Sequence, residues 1–414
     1  MSVMDYIGPV LALGITSVLI LWLHPVAKAI GLVDVPDSRK VHDNAIPLTG
    51  GPSIFLAVFA VHVLSGYFLP NKIYPVDYYG FYLAGVLLVL TGMLDDYKTV
   101  APNVRIAVES AAALIMIYVA SVVLRDLGEL FVDGRTVGLG FLAVPFTVIA
   151  TVAMVNALNM SDGLDGLAGM LALVALAGFT VATKLFGNGM DFRILIVLAA
   201  AVCGFLIFNA RWFGRRKATV FLGDSGSMFL GFALCWFAIR FTQGESRVMP
   251  PAAALWFVML PLFDAATVTA RRLLKRRPPF GADKEHLHHI FLLAGFTPGE
   301  TTAILGGMAV AGVAMGLGAT YLGVPDPIII GSFLILGLLY LFMIMRSWQV
   351  MRFLHRSICR RGNEADRRSY SDRRQPSNVV HLGPERRSGI DRRNDPRRSA
   401  DAGEHLPDDE RKSA

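Results

Sequence analysis

Carboxylate side chains occur in short clusters that could bind a divalent cation. Asp95 and Asp96 are adjacent, and Asp224 lies in the sequence Gly-Asp-Ser-Gly-Ser. Two neighbouring carboxylates repel each other, so ionising both requires a cation or a basic neighbour such as Lys98. Oxygen donors of this kind suit Mg²⁺ or Mn²⁺ better than zinc. Two plainer interpretations stay open: Asp95 and Asp96 could end a membrane span in a solvated loop, and Asp224 could be a helix N-cap.

A third cluster spans residues 156–166 and combines amides with carboxylates. Its polar members are Asn156, Asn159, Asp162 and Asp165. Their spacing of three residues predicts one polar stripe on a helix, and glycines at 163, 166 and 169 repeat that spacing on the neighbouring face. Small residues of this kind allow helices to approach closely. Four polar groups at a membrane boundary would be costly without a ligand, although hydrogen bonds between helices are the alternative explanation.

Basic side chains in two further segments are candidates for binding phosphate. They are Arg39, Lys40 and His42 of the segment 36–51, and His286, His288 and His289 in the loop that follows the basic stretch 271–277. Arg and His donate hydrogen bonds to phosphate oxygens. Zinc is disfavoured because it requires tetrahedral ligation, no Cys lies nearby and the His spacing is not that of a metalloprotease helix. A polar loop without a role is the other interpretation.

The elements that position these residues are predicted to be membrane-spanning helices. The 414-residue chain is 54% hydrophobic and only 17% charged, whereas soluble domains average about 25% charged residues. Its three Cys give no disulfide framework. Apolar windows of the length that a bilayer requires, roughly 20 residues, lie near 6–30, 51–70, 78–94, 104–123, 141–160, 164–183, 192–208, 226–242, 250–270, 301–322 and 328–346. The sequence therefore predicts an all-α polytopic membrane protein with about eleven transmembrane helices.

The distribution of Lys and Arg predicts the orientation of these helices. Connections after the odd-numbered windows, counted with Arg105, hold 14 Lys and Arg, and those after the even-numbered windows, counted with Arg193 and Arg240, hold seven. Since the more basic loops face the cytoplasm, the N-terminus is predicted to be periplasmic and the C-terminus cytoplasmic. All the polar clusters then lie on the cytoplasmic face. A transporter would instead place its ionisable groups near the bilayer midplane. Asp264 is an ionisable residue inside the window 250–270, and it is predicted to form an ion pair with Arg271 or Arg272.

The last segment of the chain, residues 347–414, has a different composition. It contains 16 Lys and Arg, 11 Asp and Glu, and few aromatic residues. A chain of this kind cannot bury enough apolar surface to fold. We predict a basic, disordered cytoplasmic tail, to which no chemistry is assigned, and the sequence as a whole indicates no nucleic-acid binding.

The polar segments, in this order and on this face, resemble those of the polyprenyl-phosphate N-acetylhexosamine-1-phosphate transferases of glycosyltransferase family 4. The resemblance covers residues 1–346, which it identifies as a transmembrane phosphoglycosyltransferase domain. The segment Pro-Asp-Ser-Arg-Lys-Val-His, the later Pro-Leu-Thr-Gly-Gly, and His-Leu-His-His followed by Ala-Gly-Phe-Thr are similar to the branch that uses UDP-N-acetylglucosamine. The branch that takes UDP-MurNAc-pentapeptide has similar Asp-rich motifs but a different His loop.

The resemblance implies a reaction at the bacterial inner membrane that begins the synthesis of a cell-surface polysaccharide. N-acetylglucosamine 1-phosphate passes from UDP-GlcNAc to undecaprenyl phosphate, with Mg²⁺ or Mn²⁺, by direct attack rather than through a covalent aspartyl phosphate. The implied metal ligands are Asn159 and Asp224, and the implied catalytic residues are Asp95, Asp96, Asp162 and Asp165. The implied substrate-binding residues are Arg39, Lys40, His42, Lys98, Asn156, His286, His288 and His289.

Two other functions stay open at this point. The same chemistry could use another UDP-N-acetylhexosamine, such as a 6-deoxy sugar, because these motifs do not define the sugar pocket. A polytopic carrier is the alternative outside enzymes. A CDP-alcohol phosphotransferase is disfavoured because its spaced Asp signature is missing, and a homodimer is compatible with the sequence.

Overall fold

A computed structural model describes residues 3–34, 45–68, 77–131, 134–187, 191–211, 217–245, 247–274, 276 and 286–346. Arg39, Lys40, His42 and the tail 347–414 lie outside the described residues. The helices are α1 (Val3–Ile30), α2 (Gly50–Phe68), α3 (Asp77–Tyr97), α4 (Pro102–Ala120), α5 (Ala143–Ser161), α6 (Leu167–Leu185), α7 (Phe192–Asn209), α8 (Gly223–Arg240), α9 (Pro251–Phe257), α10 (Met259–Leu274), α11 (Leu287–Leu293), α12 (Pro298–Tyr321) and α13 (Asp326–Met345).

Nine of the helices in the described part of the chain are long and apolar enough to cross a membrane. The count rises to ten if α9 and α10, which meet at a bend of 85°, form one broken span. The remaining predicted window lies in α8, whose first turn contains Asp224 and two serines. These polar residues lower the mean apolar character of α8, so the prediction of eleven spans is not reached by length and composition alone.

Helix α8 occupies the centre of the bundle. Fifteen of its 18 residues are buried, including Phe229, Phe232 and Trp236. It packs against α2, α3 and α5. A helix that is apolar on every side after its first turn is expected in such a central position.

Glycines bring the neighbouring helices unusually close to the start of α8. A Cβ atom on Gly51 of α2 would lie 2.2 Å from the backbone nitrogen of Gly226. A Cβ atom on Gly92 of α3 would lie 2.3 Å from the Cα atom of Ser225. No side chain fits in either place, so these contacts fix the first turn of α8 between α2 and α3.

Two short strands hold the same end of the bundle. Strands β1 (Val33–Asp34) and β2 (Ile46–Pro47) pair in antiparallel register. The backbone after β2 then bonds to the segment before α8: Phe221 donates to the Pro47 carbonyl at 2.9 Å, and Gly51 donates to the Leu222 carbonyl at 3.0 Å. The Pro-Leu-Thr-Gly-Gly motif at 47–51 therefore supports the entry to α8. The strands are a small departure from the predicted all-α fold.

Candidate active site

The polar clusters of the sequence meet at one end of the helical bundle. Asp95 and Asp96 end α3, Asn159 lies in the last turn of α5, and Asp224 lies in the first turn of α8. Because α3 and α5 both run toward the end at which α8 begins, their side chains converge there. The side of the membrane on which this end lies stays a prediction.

Arg105, in the first turn of α4, connects three of these side chains. Its Nη1 lies 2.7 Å from Asp95 Oδ2, and its Nη2 donates to Asn159 Oδ1 at 3.1 Å. The same Nη1 lies 3.9 Å from Asp224 Oδ1. The sequence suggested Lys98 as the basic neighbour, but Lys98 is exposed and lies 5.6 Å from the centre of the Tyr97 ring.

Arg105 was not among the predicted site residues, although the sequence contained a signal for it. The connection between α3 and α4 is only a few residues long, and Pro102 begins α4. Antiparallel helices joined by a short connection place the first turn of one beside the last turn of the other. A basic residue one turn into α4 was therefore the natural partner for Asp95.

Asp96 binds the backbone at the start of α8. Its Oδ1 accepts a hydrogen bond from the Asp224 amide at 2.8 Å, and its Oδ2 accepts from the Ser225 amide at 3.3 Å. These amides are unsatisfied at a helix N-terminus, where a negative charge is favourable. The alternative of Asp224 as its own helix cap is therefore wrong, because α3 supplies the capping carboxylate. Gly223, at φ +74°, lies so close to Asp96 that a Cβ atom would be 2.5 Å from Oδ2.

Asp224 is held by hydrogen bonds on one side and open on the other. Its Oδ1 accepts from Asn159 Nδ2, which also donates to Ser227 Oγ at 2.8 Å. Its side chain is 31% exposed. The carboxylate of Asp95 lies close enough to interact with that of Asp224.

The predicted polar stripe is interrupted, because α5 ends at Ser161 and α6 begins only at Leu167. Gly166 takes φ +82° in the connecting turn, a conformation that favours glycine. Only Asn156 and Asn159 therefore share the helix. Asn156 lies a turn deeper and donates to Glu109 Oε2 at 2.6 Å.

Asp165, in the same turn, contacts another part of the protein. Its Oδ2 accepts hydrogen bonds from Arg211 Nε at 2.7 Å and from the Ala218 amide at 3.2 Å. The neighbouring Gly166 amide donates to Asn209 Oδ1 at 2.7 Å. These contacts fasten the turn to the segment between α7 and α8, so the carboxylate of Asp165 is engaged in holding the site together.

Asp162 lies in the turn between α5 and α6, close to three other carboxylates. It is half-buried, and across the described part of the chain its carboxylate makes no hydrogen bond or ion pair. Burial, together with repulsion from Asp224, Asp96 and Asp165, raises the pKa of Asp162 to about 8. This charge excess is a reason for a cation to bind here.

The histidines divide into two environments. His286 Nδ1 lies 2.7 Å from Asp264 Oδ2 in the buried interior. Asp264 also accepts from the Leu287 amide at 3.0 Å and from the Tyr340 hydroxyl at 2.9 Å. The predicted ion pair of Asp264 with the arginines of α10 is therefore wrong, because the His loop folds back to contact it.

His288 approaches the turn that contains Asp162. It is 3% exposed, and its Nε2 is buried without a hydrogen-bond partner among the described residues. A Cβ atom on Gly163 would lie 2.3 Å from that nitrogen. Burial and the neighbouring His289 lower the pKa of His288 to about 3. The imidazole is therefore neutral near pH 7 and offers a phosphate no positive charge.

Gly163→Ala is expected to displace His288 and to lower the turnover number about 10- to 100-fold, because small displacements of groups in a site are costly. The fold should persist, since Gly163 is exposed and its φ is not left-handed. Gly307→Ala on α12 is the matched control, because nothing lies within 4 Å of a Cβ atom there. Steady-state kinetics and thermal unfolding of both variants test this. Gly163→Ala with wild-type turnover would exclude a role for the contact.

The donor chemistry of this end of the bundle fits a hard divalent cation. No group of three His, Cys, Asp or Glu residues in the described ranges is preassembled as a metal centre. The partly exposed carboxylate of Asp224 and the carboxylate of Asp162 are nevertheless oxygen donors in a region of excess negative charge. Asn159 is at present engaged by Arg105 and Asp224. These groups suit Mg²⁺ or Mn²⁺ and do not suit zinc.

Fold and site together define a polytopic helical membrane protein with a polar site at one end of its bundle. The sequence profile of Glycosyl transferase family 4 matches residues 78–242. An undecaprenyl-phosphate alpha-N-acetylglucosaminyl 1-phosphate transferase of Salmonella typhi is 35% identical over 343 residues, which cover 82% of this chain and 91% of the relative. Proteins of the same description from Escherichia coli K12, over the same coverage, and from Pasteurella multocida, over 81% and 92%, are each 33% identical. The chain belongs to this family of membrane-bound transferases.

Proposed function

We propose that the protein transfers N-acetylglucosamine 1-phosphate from UDP-GlcNAc to undecaprenyl phosphate, giving undecaprenyl-diphospho-GlcNAc and UMP. The main support is the similarity to relatives of that description over most of both chains. The geometry supports it as well. Open carboxylates, a guanidinium and a buried imidazole surround one end of a membrane bundle, where a water-soluble nucleotide sugar and a lipid phosphate can meet.

The reaction is a single displacement at phosphorus. An oxygen of the lipid phosphate attacks the β-phosphorus of UDP-GlcNAc, forming the new P–O bond. The bond between that phosphorus and the bridging oxygen breaks, and the electron pair leaves with UMP. Such a transfer needs little covalent help from the protein and depends on positioning and on stabilising negative charge.

We assign the metal site to Asp224 and Asp162, with Asn159 beside them. A bound Mg²⁺ or Mn²⁺ would neutralise charge on the diphosphate. Arg105 holds Asp95, Asn159 and, at longer range, Asp224 in place. Its guanidinium could also pair with phosphate oxygens beside these carboxylates.

The contacts of Asp96 favour direct attack over a covalent aspartyl phosphate. Both of its oxygens accept backbone hydrogen bonds from α8. Phosphorylation of either oxygen would remove the negative charge that caps α8 and weaken the hydrogen bond that this oxygen accepts. Both oxygens of Asp95 are also engaged, by the Val100 amide at 2.7 Å and by Arg105. We therefore assign these two residues to organising the site, with Asp95 orienting Arg105 toward the phosphates.

Purified protein offered a panel of UDP-sugars tests the donor. We expect UMP release and a lipid diphosphate of GlcNAc mass with UDP-GlcNAc, and slower turnover with 6-deoxy-N-acetylhexosamine donors. Turnover with UDP-GlcNAc at background, alongside rapid turnover with another donor, would favour the second sugar. Flux of a sugar into proteoliposomes without any UMP would favour the carrier.

We propose that the site faces the cytoplasm, with the N-terminus in the periplasm of a bacterial inner membrane. The support is the excess of Lys and Arg in the connections at this end. Single cysteines at Lys98 and at Glu129, placed in a chain without its native Cys, test the orientation with a membrane-impermeant maleimide. In intact cells whose outer membrane is permeabilised, position 129 should react and position 98 should not. The reverse pattern would overturn the orientation.

A further inference from the structure

A buried hydrogen-bond network lies behind the His loop, and the proposed reaction does not use it. Its centre is Asp264 of α10, which is 8% exposed. One carboxylate oxygen contacts His286 Nδ1, and the other accepts from the Leu287 amide and from the hydroxyl of Tyr340, which is 4% exposed on α13. A single carboxylate thus joins α10, the start of α11 and α13.

The contacts of Asp264 determine which nitrogen of His286 is protonated. A carboxylate that accepts from an amide and a phenol acts as an acceptor, so Nδ1 of His286 is the donor in the third bond. A hydrogen on Nδ1 leaves Nε2 as the basic nitrogen of a neutral ring. The network therefore fixes both the position of the ring and its tautomer, as carboxylates do for catalytic and metal-binding histidines.

The ring of His286 packs beside the ring of His288. The two rings are parallel within 6°, with centroids 5.6 Å apart. The Nε2 of His288 in turn lies over Gly163, next to Asp162. A displacement of His286 would therefore move the imidazole that approaches the α5–α6 turn. A small cavity of about 20 Å³ is lined by Ser161 at the end of α5 and by Asp264, His288 and Tyr340.

We propose that Asp264 and Tyr340 are positioning residues for the transfer reaction, which hold His286 and His288 over the turn between α5 and α6. This inference rests on the proposed function. The two residues act through the histidines and do not touch substrate. They connect His286 and the start of α11 to the two helices α10 and α13.

Two substitutions distinguish a role in positioning the histidines from a role in stabilising the fold alone. Asp264→Asn keeps the shape, but its amide can donate to His286 Nδ1 and so selects the opposite tautomer. Tyr340→Phe removes one hydrogen bond and leaves the carboxylate. We expect the turnover number to fall about 100-fold for Asp264→Asn and about 10-fold for Tyr340→Phe, with smaller changes in KM. Tyr118→Phe, which removes the hydroxyl of a side chain 71% exposed on α4, is the matched control and should match wild type.

Hydrogen–deuterium exchange of the unliganded protein tests the same inference without using the reaction. We expect faster exchange in residues 286–293 of both variants and unchanged exchange in α7. In Asp264→Asn a neutral oxygen is a weaker acceptor for the Leu287 amide, and in Tyr340→Phe the carboxylate is held less firmly. Turnover within twofold of wild type in both variants would overturn the proposal. The proposal would also be overturned if exchange in residues 286–293 were unchanged and activity fell only in proportion to the fraction of unfolded protein. If wild type releases no UMP, the proposed function fails, whereas the exchange measurement still tests how the loop is held.

Discussion

Asp224→Asn is expected to lower the turnover number about 100- to 1,000-fold while the protein stays folded, as loss of a charge-stabilising group in a preorganised site does. The amide oxygen can still accept from Asn159 Nδ2, and the capping bonds from Asp96 involve the backbone of residue 224. The change therefore removes a negative charge and an open metal ligand without removing the contacts that hold α8. Excess Mg²⁺ should rescue the variant poorly, because the neutral oxygen is a weak ligand for a hard cation.

The control for this variant is Asp126→Asn. Asp126 lies at the opposite end of the bundle, after α4, where it pairs with Arg247 at 3.1 Å. The same chemical change there should leave turnover within twofold of wild type. The measurements are UMP release at several Mg²⁺ concentrations and thermal unfolding. Wild-type turnover by Asp224→Asn would refute its assignment as a metal ligand.

Asp162→Asn is expected to abolish most activity and yet to stabilise the metal-free protein at pH 8. The pKa of Asp162 is raised to about 8 by burial and by three neighbouring carboxylates. An acid with a raised pKa in the folded state favours folding when protonated, and this contribution is lost as the pH rises toward the folded pKa. Asn does not titrate. Its advantage in unfolding temperature over wild type should therefore grow between pH 5 and pH 8 in a chelator.

Added Mg²⁺ should reverse this advantage, because a cation bound by the wild-type carboxylate stabilises the folded state by mass action. The contrasting variant is Asp165→Asn, whose carboxylate is paired with Arg211 and the Ala218 amide. It should lower the unfolding temperature at both pH values. An Asp162→Asn protein that is less stable than wild type at pH 8 without metal would contradict the assignment of excess negative charge to this turn.

Local sequence patterns predicted most of the helices and the convergence of the Asp clusters, but not the long-range partners. The contacts of Asp264 join it to His286 and Tyr340, 22 and 76 residues away. Proximity in sequence favoured Arg271 instead. The contact between Asp96 and the start of α8 spans 128 residues and has no local signature. Such contacts depend on how helices pack, which hydropathy does not specify.

Two other departures did have local signals. Helix α9 ends at Phe257 although the sequence stays apolar beyond it. Pro261 explains the break, because a proline ring clashes with the carbonyl four residues earlier and supplies no amide hydrogen. Gly166 likewise lies in the turn after the polar stripe, and its positive φ does not fit the continuous helix that the three-residue spacing alone predicts. The spacing of polar and apolar residues and the positions of Gly and Pro have to be considered together at such sites.

The most direct test of the account uses UDP-GlcNAc labelled at one phosphate at a time. With ³²P in the β-phosphate, transfer of sugar 1-phosphate predicts that the label appears in the polyprenyl lipid and that UMP is unlabelled. With ³²P in the α-phosphate, all the label should leave as UMP. Label from the β-phosphate found in released UDP, with a sugar but no added phosphate on the lipid, would contradict attack at the β-phosphorus.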